Sequence, residues 1–291
     1  MKARHSLVII LAVFLAAGCN GEGGSGGKTE SKSIWGHPKP LVAKVEVSTE
    51  GAVVETYEYT YDDKGRILTL VKTDNLSKTV MLDLQYTYPG DNEMKVSGQF
   101  FPISTNRFIT ATYNPKDGTL DYAGSWKGAW NYTTALNDDG VATSTVCKEK
   151  FAATEGYYTS DMNYSEAYTV SGGTIAESLM GTDISAQSSK ATRTANSSAL
   201  RTVYTASDKA DRQNFAAYLM PNHFPVWIAA GLPGNKQLVT GITSFTGSVS
   251  IPESTAVEYT FNPDGSLDTA VRTDSNAGTP YLTRTYKFIY Q

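Results

Sequence analysis

The sequence predicts an all-β fold: a large antiparallel meander curled into an open or closed barrel-like sheet, with one short helix and an apolar loop inserted near 207–234. Three observations carry this prediction. The 291 residues include 18 tyrosines and abundant threonine, which suit strands better than helices. Apolar and polar residues alternate with a period of two over much of the chain after Leu41. Turn sequences rich in Gly, Asn and Asp punctuate the alternation.

The first element, residues 1–18, reads as a leader. Lys2 and Arg4 precede an apolar run from Leu7 to Leu15, followed by Ala16, Ala17, Gly18 and Cys19. The run is about nine residues, too short for a membrane span of about 20. The pattern resembles a bacterial lipoprotein signal, which implies cleavage before Cys19 and a lipid on its thiol. Cys19 is therefore the expected membrane anchor, since several acyl chains hold a protein stably on a bilayer. Residues 19–40 form the expected tether. Asn20 to Ser33 is Gly/Ser-rich with no apolar residue, the composition of a flexible coil. Its GxGxxG and GxSxG matches lack the strand and helix that give those motifs meaning.

Residues 41–291 are expected to form a single β domain. In 53–61, Val53, Tyr57, Tyr59 and Tyr61 fall on one face and Val54, Thr56, Glu58 and Thr60 on the other. In 79–88, Val80, Leu82, Leu84, Tyr86 and Tyr88 alternate with Thr79, Met81, Asp83, Gln85 and Thr87. Such alternation marks a half-buried strand. Asp62-Asp63-Lys64-Gly65, Asn114-Pro115-Lys116-Asp117-Gly118 and Asn262-Pro263-Asp264-Gly265 supply the positive φ and side-chain-to-backbone bonds of tight turns. An internal repeat emerges over 59–73, 112–124 and 259–273: an aromatic strand end, an acidic Gly turn, then Leu or Ile two residues after the Gly. At ordinary strand lengths this gives about 14–17 strands, and a sheet that long must curl or close.

Two stretches break the pattern. Residues 183–201, rich in Ser, Thr and Ala, are expected to be a mobile loop. Residues 207–220 read as the one helix, with Ser207 as N-cap, Asp208 and Asp211 in the first turn, and Pro221 as the stop. Phe215, Tyr218 and Leu219 would share a face. The apolar run after it, through Phe224 and Trp227, completes an expected lid over 207–234.

The hairpins Tyr61-Asp62-Asp63-Lys64-Gly65-Arg66-Ile67 and Phe261-Asn262-Pro263-Asp264-Gly265-Ser266-Leu267, behind a lipoprotein signal and with the apolar segment 207–234, resemble a family of Bacteroidota lipoproteins. That family is described as having a porin-like, curved β-meander fold. The resemblance covers most of Leu41 to Gln291. It implies fold and an outer-membrane address, lipid-anchored on the periplasmic or cell-surface face. It brings no catalytic residues.

Charge and residue types narrow the function classes. Asp+Glu at 29 outweigh Lys+Arg at 25, so the long-range field repels nucleic acid. Two cysteines exclude a disulfide scaffold and a multi-Cys metal site. No histidine pair has zinc-ligand spacing. Asp62/Asp63 and Asp138/Asp139 sit in turns and are explained by turn chemistry, without a calcium-loop ladder. Cys147 shares a strand face with Val141, Thr143 and Thr145, a small buried hydrophobe with no local nucleophile signature. No catalytic residue, cofactor or metal is expected.

Aromatics are the most suggestive feature. Trp126, Trp130 and Tyr132 flank a hairpin, and Trp227 lies in the apolar loop. Such side chains either fill a core or form platforms that bind sugar rings. The leading expectation is a monomeric, non-enzymatic envelope lipoprotein that binds a lipid-like or other amphipathic ligand inside the curved sheet. Trp126, Trp130, Tyr132, Phe215, Tyr218, Phe224 and Trp227 are its candidate ligand-binding residues. The first alternative is a surface glycan- or protein-binding module using the Trp/Tyr platforms. The second is an outer-membrane β-barrel, against which stands Arg284 among Leu282, Tyr286 and Phe288, a costly position in lipid.

Overall fold

Among the described residues, seventeen strands succeed one another as antiparallel neighbours, almost entirely in chain order. The computed structural model describes residues 34–100, 103–125, 128–138, 141–151, 159–171, 174–187, 192–196, 200–212, 215–219, 237–246 and 253–291. The strands are β1 (Val42–Thr49), β2 (Ala52–Tyr61), β3 (Ile67–Asp74), β4 (Thr79–Gly90), β5 (Glu93–Phe100), β6 (Ile103–Asn114), β7 (Thr119–Ser125), β8 (Gly128–Leu136) and β9 (Ala142–Phe151). They continue with β10 (Thr159–Ser171), β11 (Thr174–Gln187), β12 (Thr192–Asn196), β13 (Leu200–Ala210), β14 (Gln237–Thr246), β15 (Glu253–Phe261), β16 (Leu267–Asn276) and β17 (Thr279–Tyr290). Among the described residues between β13 and β14 lies a short helix, α1 (Ala216–Leu219).

The sheet closes on itself. Val45 of β1 stands opposite Tyr57 of β2 on one side and opposite Phe288 of β17 on the other. β12 and β13 share one place beside β11, since Asp183 pairs with Asn196 and Met180 with Leu200. The ring is thus a 16-strand closed antiparallel barrel. Closure gives β1 and β17, the first and last strands of the meander, a partner on both sides.

Alternation decides which side chains enter the lumen. One inward row runs Tyr59, Leu70, Leu84, Gly98 across β2 to β5. Another runs Met94, Ala111, Tyr122, Tyr132 across β5 to β8. Val45, Leu70, Leu84, Met94, Val96, Leu120 and Ala270 are fully buried on this face. Each of the larger ones contributes about 1.5–3 kcal/mol relative to exposure. Gly98 has φ +135°, and a Cβ there would lie 2.0 Å from the Asp83 carbonyl oxygen. Its backbone therefore sits closer to β4 than any other residue type allows.

The outward face carries the opposite chemistry. Glu58, Asp83, Gln85, Lys95, Asp121, Glu258 and Lys287 are exposed on it, interleaved with Thr60, Thr87, Thr110, Thr112 and Thr133. Thr60 and Thr69 pair through their hydroxyls at 2.7 Å, and Thr260 and Thr269 at 2.6 Å. Isolated apolar residues such as Val146, Leu179 and Ile289 are also exposed outward, without forming a continuous band among the described residues.

The sequence repeat is a structural repeat. The bulges at Thr60/Tyr61 and Thr260/Phe261 coincide in type and place. Asp62 N donates to Arg66 O at 2.9 Å, and Asn262 N to Ser266 O at 2.9 Å. Gly65 and Gly265 supply φ of +75° and +81°. Asp62 also accepts from the Arg66 side chain at 2.7 Å, and Asp264 from the Ser266 amide at 2.9 Å. The Tyr88 hydroxyl donates to the Ile67 carbonyl at 2.9 Å, and Tyr290 donates likewise to Leu267.

Two expectations are corrected. The loop over 183–201 is strand wherever it is described: β11 runs to Gln187, β12 covers Thr192–Asn196 and β13 starts at Leu200. Pairing within a closed ring stabilises these Ser/Thr segments without an apolar alternation of their own. The helix over 207–220 shrinks to Ala216–Leu219, because 207–210 extend β13, with Ala206 opposite Val239 and Ala210 opposite Gln237. Ladder bonds to β14 override the local helix preference. Ser207 accordingly caps no helix; its hydroxyl accepts from the Lys209 amide at 3.0 Å.

Candidate functional site: a plugged barrel lumen

One end of the lumen is closed by two segments from outside the wall. Residues 34–41 lie against the first repeat hairpin. Trp35 is fully buried with its ring 6.4 Å from that of Tyr88, and the His37 amide donates to the Gly65 carbonyl at 2.9 Å. The His37 ring meets Tyr61 edge-on at 5.8 Å.

The second segment, residues 211–212 and 215–219, is a plug inside the ring. Asp211 Oδ1 accepts from the Phe215 amide at 2.8 Å and so starts the turn that Ser207 was expected to start. Phe215 is fully buried and lies edge-on to Tyr259, Tyr286 and Phe288 at 5.7, 5.3 and 6.0 Å. Tyr218 lies edge-on to Tyr57 at 5.5 Å, and its hydroxyl is 2.6 Å from that of Tyr59. These partners come from β2, β15 and β17, so only a position within the barrel reaches them all. Each edge-to-face pair adds about 0.5–1.5 kcal/mol beyond area burial. Burial pushes the phenols of Tyr57, Tyr59, Tyr86 and Tyr218 well above their ordinary range, so this aromatic floor is uncharged.

Beside the floor, on the same inward face, lies a band of charge. Glu55 stands two residues before Tyr57, and Lys72 opposite Tyr57 on β3. Lys72 Nζ lies 3.0 Å from Glu55 Oε1 and 5.1 Å from the Tyr57 ring centre. The Tyr57 hydroxyl donates to Glu55 Oε2 at 3.3 Å. On β16, Arg272 Nε donates to Asp274 Oδ1 at 2.9 Å, and Thr255 Oγ1 donates to the same oxygen at 2.6 Å. Arg284 of β17 stands opposite Arg272, two residues before the buried Tyr286. Hydrogen-bonded charges partly open to water fit a lumen whose polar half is solvated. The small cleft where residues 34–41 meet the plug, lined by His37, Pro40, Tyr61, Arg212 and Tyr218, holds about 20 Å³, room for roughly one water.

The structure joins some of the residues singled out from sequence and not others. Phe215 and Tyr218 form the plug. Tyr132 is half-buried and stacks on the buried Tyr122 at 5.0 Å with parallel rings, on the inward row. Trp130 belongs to β8 as the backbone partner of Gly124, and Cys147 to β9 as the partner of Tyr132. Cys19, Trp126, Phe224 and Trp227 lie outside the described residues. Sequence reasoning passed over Glu55, Lys72, Arg272 and Asp274. The signal was present for Glu55, at the parity of Val53 and Tyr57, and for Lys72, at the parity of Leu68 and Leu70; Arg272 and Asp274 share a face with Ala270 alone and gave none. Arg284 carried the same signal, noted only as a cost in lipid.

A closed antiparallel meander with an aromatic floor and a band of charge on its inward face defines an all-β barrel in architecture. The chain is similar to a porin-like protein from Bacteroides vulgatus ATCC 8482, with a TM-score of 0.56 and 13% identity, over 86% of this chain and 98% of that one. A porin-like protein from Bacteroides uniformis ATCC 8492 is 14% identical over the same shares, with a TM-score of 0.37. No family model matches the chain, and no curated protein matches it.

Proposed function

We propose that this chain is a non-enzymatic envelope lipoprotein of the outer membrane, tethered through Cys19, whose barrel stands in water and takes an amphipathic ligand in its lumen. The sidedness of the wall carries this reading. The charged residues Glu58, Asp83, Lys95, Asp121, Glu258 and Lys287 face outward, and the aromatic floor faces inward. In a lipid-spanning barrel the pattern is reversed, and each Lys or Arg on the lipid face costs about 2–4 kcal/mol at the midplane. Several such residues around one wall exceed what a barrel's marginal stability tolerates. The Gly/Ser-rich composition from Asn20 to Ser33 suits a tether between Cys19 and the barrel.

A second reading, an outer-membrane barrel, is favoured by the closed ring and by its likeness to porin-like proteins. Rings of 16–18 strands in membranes enclose aqueous channels. One experiment separates the two readings. A site-specific protease sequence is placed in the tether of the otherwise intact, lipidated chain, and isolated membranes are treated with the protease. Release of the barrel into the supernatant is expected. A barrel that stays in carbonate-washed membranes after complete cleavage overturns the water-facing reading.

A further inference from the structure

Arg272 and Arg284 face each other across β16 and β17 as register partners on the lumen side. Like charges set opposite each other repel. One of the two is answered within the protein. Asp274, nearly buried, accepts from Arg272 and from Thr255 through the same oxygen. Glu55 is engaged by Lys72 and by the Tyr57 hydroxyl, and Asp74, opposite Glu55, by the Leu76 and Ser77 amides. Arg284 has no ion pair, hydrogen bond or ring contact among the described residues. It is half-buried, between the half-buried Leu282 and the buried Tyr286 along the inward face of its strand.

A guanidinium carries five donors and stays charged at any pH a protein survives. Left partly desolvated beside a second arginine, it destabilises the empty barrel. An oxyanion removes both costs, because a planar carboxylate accepts two parallel N–H bonds from one guanidinium. Apolar surface lies within the same band. Leu82 stands opposite Lys72, and Leu282 opposite Asp274, and both are half-buried on the inward face.

We propose that Arg284 is the head-group site of the lumen, taking the carboxylate of an amphipathic ligand whose apolar part lies against Leu82 and Leu282. The proposal rests on the ligand-binding reading above and adds to it the ligand's charge and the residue that selects it.

The test is calorimetric titration of the protease-released barrel with decanoate and with decanol. These probes share a chain length and differ in the head group. Wild-type protein is expected to bind decanoate about tenfold more tightly than decanol or better, the scale of one charge-assisted contact. In Arg284→Gln that preference disappears, and in Arg284→Lys part of it remains. Arg201→Gln, on the outer wall beside Glu177, keeps it in full. The empty Arg284→Gln barrel is expected to melt about 1–3 °C higher than wild type, since an uncompensated charge has gone. A purely structural role for Arg284 would move the melting temperature the other way. If Arg284→Gln does not fold, the wild-type head-group preference and Arg284→Lys carry the test. Equal binding of both probes, or an unchanged preference in Arg284→Gln, overturns the head-group site and leaves the lumen reading standing. Binding of neither probe overturns both.

Discussion

The hydroxyl of Tyr59, on the barrel wall, lies 2.6 Å from the hydroxyl of Tyr218, on the plug. The two residues are 159 positions apart in the chain. This bond ties an inserted segment to β2 in the buried aromatic floor.

Loss of either hydroxyl removes this bond from the other. Tyr218→Phe leaves the buried Tyr59 hydroxyl without that bond, a cost of about 1–2 kcal/mol. The double variant Tyr59→Phe with Tyr218→Phe is expected to recover much of the loss, because no polar group is then left buried and unpaired. Urea denaturation of the wild type, both single variants and the double variant measures the coupling. Additive losses would show that the bond contributes nothing.

Alkaline stability follows from the same floor. Burial raises the phenols of Tyr57, Tyr59, Tyr86 and Tyr218 far above their ordinary value of 10.0. Their unfolded counterparts release protons near that value while the folded ones hold theirs. The unfolded state then binds fewer protons, so folding stability is complete below about pH 10 and falls as pH rises beyond it. Absorbance at about 295 nm, followed with circular dichroism, is expected to show a late group of tyrosines ionising together with loss of the sheet. Their ionisation near pH 10 with the sheet intact would contradict the buried floor.

Gly98→Ala tests the tightest point of the wall. The new Cβ would lie 2.0 Å from the Asp83 carbonyl oxygen, at a φ of +135°. Backbone cannot yield as a flexible side chain can, so a loss of about 2–4 kcal/mol is expected. The same substitution at Gly51, whose Cβ would meet nothing within 4 Å, retains only the φ penalty and costs about 1 kcal/mol. Thermal melts of the two variants compare the sites directly.

Asp211→Ala loosens the plug before it loosens the barrel. It removes the acceptor for the Phe215 amide and leaves that buried donor unpaired, at about 1–2 kcal/mol. The lost free energy belongs to a short segment held mainly by aromatic contacts. Limited proteolysis is therefore expected to cut near 211–219 in the variant while the wall strands resist. Unchanged cleavage kinetics would mean that the Asp211 contact does not help to hold the plug.

Much of the architecture is legible in particular residues. Tyr57, Tyr59 and Tyr61 share a face with Val53 in the sequence and line the inward side in the structure as far as the floor. The hairpins at Gly65 and Gly265 share one formula in sequence and the same bulge, turn bonds and tyrosine–carbonyl contact in three dimensions. Segments 183–187 and 192–196 were illegible because serine and threonine suit a strand, a turn or a loop when no apolar side chain fixes a face. The helix over 207–220 was misread for a related reason. Its capping and periodic residues are local signals, and the pairing of Ala206 and Ala210 with β14 comes from a strand about thirty residues downstream.

The sequence by itself determined the alternation, the turns, the repeat and the candidate anchor at Cys19, because each depends on residues a few positions apart. Only the tertiary structure decided that the meander closes, that its greasy face points inward, and that Arg284 meets Arg272 without an acid of its own. Closure joins Val45 to Phe288, and the plug joins Tyr218 to Tyr59. Contacts between opposite ends of a chain leave no periodic trace in it. Their stabilisation appears only once the intervening strands have brought the partners together.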